Sequence, residues 1–368
     1  MTELIITRAT KSPPKNTKLS NKFANFRILT SNHDSDGGNT VFRSQIKGTG
    51  SYLPERILSN QDLEKLVETN DKWIRERTGI VNRHLASESE VTSDLALVAS
   101  QKALQAAELA STELDFILFA TVSPDQPMPN TACVLQNKLQ AGNCGALDIS
   151  AACTGFVYAL AIADQFIRTG AYKNILVVGA EVLHRYVNYE DRNTCVLFGD
   201  GAGAAVVSRA ENACDSKIYS SHLRADGDIS DLFVLPAGGS QLPLSQDVLD
   251  HNKQFVEMKG REIFKHAVRT MSQACVEALD ANSMQISDVQ WIIPHQANIR
   301  IIEAVAKHFG VSMERVIVEI EEMGNTSAAT VIVSLDRAIR DGRIQRGDNV
   351  LLTAFGAGIT SGSLLLKY

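Results

Sequence analysis

The chain has 368 residues, 44% of them hydrophobic, and a formal charge of −6 at pH 7. This length exceeds the usual size of one domain and predicts two domains or one large duplicated unit. The negative charge argues against nucleic-acid binding, and the sequence lacks the uninterrupted apolar run of about 18 residues that a transmembrane helix needs.

The cysteines indicate a reducing compartment. None of the six forms a Cys-x-x-Cys pair, and no metal-ligand spacing is present. We therefore expect most of them to be small buried hydrophobic residues in a cytoplasmic protein. This prediction covers Cys133, Cys144, Cys195, Cys214 and Cys275.

Residues 1–43 differ in composition from the rest. Asn, Ser, Thr and Lys dominate this segment, and it lacks the apolar core of a secretory signal. We interpret it as a flexible N-terminal extension. A disordered tail, an upstream translation start and an organellar transit peptide, including a plastid one, are all open.

The first half of the body alternates short apolar runs with helix-like stretches. Residues 115–120 predict a strand, followed by a helix-like stretch that ends at Leu139. Residues 145–149 predict a second strand, 154–169 a helix and 174–179 a third strand. Apolar strands separated by helices are typical of a parallel sheet covered on both faces.

The second half repeats this plan. The glycine-rich turn and strand at 198–208 resemble those at 355–365, which indicates a whole-domain duplication. We therefore expect an α/β fold with an N-terminal half over 44–215 and a C-terminal half over 216–368. The second half has predicted helices over 261–279, 298–308 and 327–340, and predicted strands over 289–293 and 349–355.

Cys153 lies between a predicted strand and the helix that begins near Thr154. The helix dipole and the free N–H groups at such a position favour a thiolate, so we expect a lowered pKa. Small neighbours on both sides leave room for an acyl chain. A buried structural cysteine is the alternative.

His295 and Asn325 also stand where strand-like runs give way to helices. His295 follows Pro294, and we expect it to be neutral near the positive end of a helix. Asn325 precedes Thr326 and Ser327, so capping of the following helix is its structural alternative. One nucleophile and two neutral donors suit acyl transfer through a thioester, followed by stabilisation of a carbanion.

Four motifs, in this order and spacing, resemble β-ketoacyl-acyl carrier protein synthase III, the initiating condensing enzyme of bacterial and plastid type II fatty-acid synthesis. The resemblance spans 44–368 and implies the thiolase-like five-layered αβαβα fold of two pseudo-symmetric halves. The motifs are Asp-Ile-Ser-Ala-Ala-Cys-Thr-Gly-Phe (148–156), Phe-Gly-Asp-Gly-Ala-Gly-Ala-Ala (198–205), Pro-His-Gln-Ala-Asn (294–298) and Gly-Asn-Thr-Ser-Ala (324–328).

The resemblance implies a decarboxylative Claisen condensation without metal or other cofactor. Cys153 takes the acyl group from an acyl-CoA primer, and His295 and Asn325 stabilise the enolate formed from malonyl-acyl carrier protein. The backbone N–H groups of Cys153 and Ala357 form the oxyanion hole. The implied partners are acyl carrier protein and a second copy of the chain in a homodimer.

Further binding residues follow from the same resemblance. Trp73 and Arg192 are expected to sandwich the adenine of CoA. The full set implied for CoA is Trp73, Arg77, Thr78, Arg192, Gly260, Phe264 and Asn298. A positive patch for docking acyl carrier protein is implied at Lys265, Arg300 and Lys307, with ordinary solvated side chains as the alternative.

Two departures from the family pattern concern the acyl pocket. Met128 replaces a bulky aromatic residue that reaches across the dimer interface, and Ser361 stands where tryptophan is common. Both changes predict a pocket wider than one built for acetyl, and thus a primer longer than acetyl. A specialised role in secondary metabolism, with a longer primer or with acyl transfer alone, is therefore an alternative.

Two other classes of function are compatible with the motifs. In a Cys-His-Asn hydrolase or acyltransferase, Asn325 would orient His295, and His295 would activate Cys153. A non-catalytic thiolase-like scaffold would keep the fold without the chemistry. The intact set of three polar residues argues against the scaffold.

Overall fold

The computed structural model describes residues 42–210 and 216–368. Nearly all of the predicted N-terminal extension, and also Cys214, lie outside the described residues. The strands are β1 (Ser44–Tyr52), β2 (Arg56–Ser59), β3 (Asn82–Leu85), β4 (Phe116–Ala120), β5 (Gly145–Ile149), β6 (Asn174–Glu181), β7 (Gly201–Arg209), β8 (Lys217–Arg224), β9 (Phe233–Val234), β10 (Glu257–Met258), β11 (Trp291–Pro294), β12 (Asn349–Gly356) and β13 (Thr360–Lys367).

The helices alternate with these strands, as the apolar periodicity predicts. They are α1 (Asn60–Leu63), α2 (Asp71–Thr78), α3 (Thr92–Ala106), α4 (Thr131–Lys138), α5 (Gly155–Arg168), α6 (Gln246–Asp250), α7 (Gly260–Ala281), α8 (Ile299–Phe309), α9 (Ile320–Met323) and α10 (Ala329–Arg340).

Two mixed sheets form the centre of the fold. The first has the strand order β1-β7-β6-β4-β5, in which β5, β4 and β6 are parallel and β7 and β1 are antiparallel to their neighbours. The second has the order β11-β12-β13-β8, with β11 and β12 parallel. Every residue of β6 is buried, which agrees with a parallel strand covered on both faces.

Helices cover the sheets in five layers. α3 and α4 pack on the outer face of the first sheet, and α7 packs on the outer face of the second with α8 against it. α5 and α10 lie between the sheets and contact strands of both. The αβαβα order predicted from the resemblance is therefore confirmed.

Small residues allow the closest contacts between layers. A side chain on Gly48 or Gly50 of β1 would collide with the backbone of α3. A side chain on Gly155, at the start of α5, would meet Ala120 Cβ at 2.9 Å. The first turn of α5 therefore sits directly against the end of β4, and this contact positions the turn just before α5, in which Cys153 lies two residues before Gly155.

Most predicted boundaries agree with the structure to within one or two residues. The helix predicted over 154–169 is Gly155–Arg168, followed by Gly170 with φ +78°. The helix predicted from Ser327 begins at Ala329. The stretch between β4 and Leu139 is less helical than predicted, because α4 begins only at Thr131.

None of the described helices combines the length and apolar character needed to cross a membrane.

Candidate active site

Cys153 lies in the middle of a 3₁₀ turn, Ala152–Thr154, that joins the end of β5 to the first residue of α5. The sequence predicted this position. The predicted low pKa is wrong: the side chain is only 4% exposed, and burial raises the pKa of the thiol to about 12. Desolvation disfavours the thiolate more than the short helix-terminal turn favours it.

His295 is buried at the end of β11, where its backbone N–H donates to Thr353 O at 2.8 Å. Burial lowers the pKa of its imidazole to about 3, so the ring is neutral at physiological pH, as expected from the sequence. Its Nδ1 lies 2.6 Å from Thr330 Oγ1.

The Thr330 hydroxyl governs the tautomer of His295. Thr330 Oγ1 is also 3.0 Å from the carbonyl of Ser327, and a hydroxyl has one proton to donate. When that proton points to Ser327 O, His295 carries its proton on Nδ1. When it points to Nδ1, the imidazole carries its proton on Nε2 and can donate from there. A reaction that needs an Nε2 donor therefore needs the second arrangement.

Asn325 is fixed in a turn before α10. Its N–H donates to Leu197 O at 2.9 Å, and its side-chain Oδ1 accepts from Ser327 N at 2.9 Å. This bond orients the amide, leaving its NH₂ group to donate elsewhere. Asn325 does not cap α10, whose N-cap residue is Ala328.

These three side chains line one cavity of about 780 Å³. The N-terminal half supplies Cys153, and the C-terminal half supplies His295 and Asn325. A thiol, a neutral imidazole and an amide NH₂ can hold an acyl group and donate hydrogen bonds to a second carbonyl. In the described parts of the chain, no cluster of His, Cys, Asp or Glu has the arrangement of a metal site.

Gly356 brings the predicted oxyanion-hole residues together. A side chain there would lie 2.7 Å from Cys153 N, so β12 ends against the cysteine backbone. The next residue, Ala357, lines a second cavity together with Cys153. A hydrogen bond of 2.7 Å between the hydroxyls of Thr154 and Thr360 ties the two turns together.

This second cavity is apolar and has a volume of about 140 Å³. Cys153 and Ser327 are among the residues that line it. Neither predicted pocket residue lines it within the protomer: Met128 is 85% exposed, and Ser361 is buried in β13. The apolar wall consists of Val122, Ala152, Leu183, Val187, Phe198, Phe233, Val234, Leu235, Val256 and Ala357.

Six of the seven residues predicted for CoA line the outer part of the larger cavity. Two of them already make structural hydrogen bonds: the Thr78 hydroxyl donates to Ile74 O at 2.7 Å, and Asn298 Nδ2 donates to Arg77 O at 2.8 Å. The six are Trp73, Arg77, Thr78, Gly260, Phe264 and Asn298.

Arg192, the seventh, stacks directly on Trp73. Its guanidinium carbon is 4.8 Å from the centre of the indole, and Nη1 donates to Glu68 O at 3.1 Å. An adenine between the two groups needs two stacking distances of about 3.5–4 Å each. The predicted sandwich therefore requires Arg192 to move away from the indole.

The three cations predicted to dock a carrier protein are all exposed. Lys265 and Arg300 line the rim of the larger cavity, and the Arg300 guanidinium lies 5.6 Å from the centre of the Phe264 ring. Lys307 is farther along α8 and does not line the cavity. Arg261, which sequence reasoning missed, lines this rim as well.

Sequence reasoning also missed three buried polar residues near the reacting groups: Glu181, Ser327 and Thr330. Glu181 has a visible signal, an acid at the end of an otherwise apolar strand. Ser327 and Thr330 lie in a stretch that reads as an ordinary helix start. Only the cavity that Ser327 shares with Cys153 and the contact of Thr330 with His295 distinguish them.

Comparison with known proteins identifies the family of this chain. Residues 147–227 match the family described as 3-oxoacyl-[acyl-carrier-protein (ACP)] synthase III, and residues 279–368 match the C-terminal part of that enzyme. The β-ketoacyl-[acyl-carrier-protein] synthase III of Caldanaerobacter subterraneus subsp. tengcongensis is 50% identical over 323 residues, which cover 88% of this chain and 97% of the relative.

A second relative and a solved structure give the same result. The synthase III of Xanthomonas campestris pv. campestris is 50% identical over 325 residues, covering 88% of this chain and 98% of the relative. The crystal structure of 3-oxoacyl-[acyl-carrier-protein] synthase III from Aquifex aeolicus VF5 is 46% identical with a TM-score of 0.81, covering 88% of this chain and 100% of that one.

The fold and the site define an acyltransferase of the thiolase-like condensing-enzyme class. Within that class, the chain belongs to the β-ketoacyl-[acyl-carrier-protein] synthase III family.

Proposed function

We propose that this protein condenses an acyl-CoA primer with malonyl-acyl carrier protein, releasing carbon dioxide and a β-ketoacyl-acyl carrier protein, and so initiates fatty-acid synthesis. The observation that carries the proposal is the meeting of Cys153, His295 and Asn325 on one cavity, in a chain 50% identical to synthases of this name.

Acylation of Cys153 is the first step. The thiolate attacks the carbonyl of acyl-CoA, and the CoA thiolate leaves. The acyl chain then enters the apolar cavity of about 140 Å³ that opens at Cys153. The N–H groups of Cys153 and Ala357 stabilise the negative oxygen of the tetrahedral intermediate.

Decarboxylation of the malonyl thioester is the second step. His295, neutral because of its burial, donates from Nε2, and Asn325 donates from its amide NH₂ to the thioester oxygen. Each donor aimed at developing charge contributes about 3–4 kcal/mol to transition-state stabilisation. The carbanion attacks the acyl-enzyme, and Cys153 leaves as the new carbon–carbon bond forms.

The outer part of the larger cavity binds CoA and acyl carrier protein, the carriers of the two substrates. The adenine of CoA stacks on Trp73 after Arg192 swings out, and Arg77, Lys265 and Arg300 offer cations to its phosphates. Arg300 and Lys265 at the rim, with Lys307 beyond, then offer positive charge to acyl carrier protein. The chemistry needs no metal and no organic cofactor, because the chain supplies both the nucleophile and the donors.

The hydrolase-like alternative fits the site less well. In that mechanism Asn325 orients His295. Here His295 Nδ1 is bonded to Thr330, and Asn325 Oδ1 is bonded to Ser327 N. The two side chains are therefore positioned separately, as two independent donors.

A homodimer is supported by the free edge of the first sheet. β5 is an edge strand, and its central residue Leu147 is 45% exposed. Antiparallel pairing of two β5 strands would satisfy the unpaired backbone groups and cover this leucine. Met128, 85% exposed in a single chain, would then be available to a partner. The cytoplasmic location and the length of the primer remain predictions.

The test is acylation followed by intact mass measurement. Wild-type protein incubated with acetyl- to decanoyl-CoA should gain one acyl mass, then release it as β-ketoacyl product when malonyl-acyl carrier protein is added. Cys153→Ala should gain none. Cys275→Ala is the matched control, because Cys275 is also buried with a pKa raised to about 12 but lines neither cavity. Acylation of Cys153→Ala at wild-type rate would refute the assignment.

A further inference from the structure

The Cys153 thiol needs a proton acceptor before it can attack a thioester. The thiolate is the reactive form, and burial keeps the thiol protonated at neutral pH. The buried imidazole of His295 is a weak base, since its pKa is lowered to about 3. The two steps described above therefore leave the proton of Cys153 without a destination.

Glu181 is a buried carboxyl group that neither step uses. It is the last residue of β6. Because β5 and β6 both run parallel to β4, the carboxyl end of β6 lies on the same side of the first sheet as the carboxyl end of β5, which leads to Cys153. Its Oε2 accepts from Ser123 Oγ at 2.5 Å and from Ser123 N, Val122 N and Thr121 Oγ1 at 3.1 Å each. Oε1 has one long bond, 3.3 Å from Val122 N. These donors suit an ionised carboxylate and leave Oε1 with capacity to accept a proton.

Ser327 lies next to both groups. It lines the apolar cavity beside Cys153, and its side chain is buried. The hydroxyl has no hydrogen-bond partner in the described residues. β6 packs against this turn: a side chain on Gly179, two residues before Glu181 and on the same face of the strand, would lie 2.6 Å from Ala328 O. Ser327 also lowers the pKa of the Cys153 thiol and of the Glu181 carboxyl. Ser327 also has φ +48°, a strained conformation for a residue with a side chain. The backbone thus holds an uncommitted hydroxyl at the reacting sulfur.

We propose that Ser327 and Glu181 form a proton relay that activates Cys153 for acylation. Ser327 Oγ takes the proton of the thiol as its own proton passes to Glu181 Oε1, and the S–H electron pair remains on sulfur as the thiolate. The thiolate bonds to the carbonyl carbon, the carbon–sulfur bond to CoA breaks, and the proton returns through Ser327 to the CoA thiolate. The relay rests on the proposed acyl-thioester chemistry of Cys153.

The ionisation of Glu181 makes acylation through the relay depend on pH. Burial raises the pKa of Glu181 to about 7, and the bonds from Ser123 and its neighbours oppose that rise. The carboxylate form, which accepts the proton, therefore increases as pH rises through about 7. The titratable groups that interact with Glu181 are Cys153 and Tyr186, both with a raised pKa. Asp200, which precedes β7, accepts hydrogen bonds from the backbone N–H groups of Ala86 and His184.

The first test removes only the bridging hydroxyl. Ser327→Ala keeps the backbone N–H that orients Asn325. Single-turnover acylation by acetyl-CoA, followed by intact mass, should slow about 100-fold, the usual effect of losing a positioned proton acceptor. Malonyl decarboxylation by protein already acylated should change less than about threefold. Ser334→Ala is the matched control, another buried unpartnered hydroxyl, in α10.

The second test separates proton transfer from a structural role of Glu181. Glu181→Gln should slow acylation about 100-fold and abolish its rise with pH between 6 and 8, and Glu181→Asp should restore part of both. Asp164→Asn is the control for losing a buried carboxylate, because Asp164 is buried in α5 and bonded to Ser44.

The outcomes distinguish the relay from the proposed function. A wild-type protein that never gains acyl mass overturns both. A wild type that acylates while Ser327→Ala acylates equally fast overturns the relay alone. Equal losses of acylation, decarboxylation and thermal stability in Glu181→Gln, with an unchanged pH profile, also overturn it, because they identify a structural carboxylate.

Discussion

The two halves of the molecule contain separate sheets with corresponding strand orders, but the two sheets differ at one edge. The first sheet runs β1-β7-β6-β4-β5, and the second runs β8-β13-β12-β11 in the corresponding order. At the place of β5, the second sheet has only an isolated bridge between Ile292 and Val316. Val316 is buried, whereas Leu147 at the centre of β5 is 45% exposed.

Because of this difference, the two halves are expected to contribute to different steps of the reaction. The N-terminal half has the complete edge strand, β5, and the proposed nucleophile Cys153 that follows it. In the C-terminal half, the corresponding edge of the second sheet is covered, and this half supplies His295 and Asn325. Acylation is thus expected to depend on the first half and decarboxylation on the second, with Ser327 as the residue of the second half that serves the first.

The largest effect that tests this division concerns the two donors. His295→Ala and Asn325→Ala should each slow malonyl decarboxylation by about 100-fold or more, because each removes a donor to the enolate. Both should still acquire acyl mass on Cys153. Wild-type decarboxylation should show no titration of His295 between pH 5 and 8, since the imidazole protonates only near pH 3.

The control for these variants is His308→Ala, which removes an exposed histidine of α8. Decarboxylation near the wild-type rate in either site variant would contradict the assignment of that donor. Collapse of acylation in Asn325→Ala would instead favour the hydrolase-like triad.

A smaller effect is expected from the residue behind His295. Thr330→Val keeps the shape of the side chain but removes the hydroxyl that donates to Nδ1. Decarboxylation should fall about 10- to 100-fold, the usual effect of losing the group that orients a functional histidine. Thr330→Ser should retain most of the rate. Equal rates for the valine and serine variants would show that Thr330 does not set the tautomer.

The smallest effect concerns the edge of the first sheet. Leu147→Lys should weaken dimerisation by about tenfold or more, because a central apolar residue of an interface contributes at least about 1–2 kcal/mol. Sedimentation across a range of protein concentrations measures this shift. Leu223→Lys is the control, a leucine 36% exposed on β8 at an edge of the second sheet. A monomeric wild type, or equal dissociation of both variants, would contradict the proposed β5 interface.

The sequence by itself determined the order of elements and the place of each side chain proposed to take part in the reaction. Strand and helix periods are local, so β5, α5, β6 and β12 could be predicted to within one or two residues. Cys153 before a helix and His295 after a strand are local features too. The four family motifs added the thiolase-like fold and the prediction that Asn325 is a donor to the enolate.

Only the tertiary structure decided the environment of those side chains. Burial raises the pKa of Cys153, against the local prediction from the helix dipole, because desolvation depends on layers distant in sequence. Ser327, from the other half of the chain, lines the same cavity as Cys153, and Arg192 stacks on Trp73 across more than a hundred residues. Such contacts arise from packing between layers, and no periodicity within a single element encodes them.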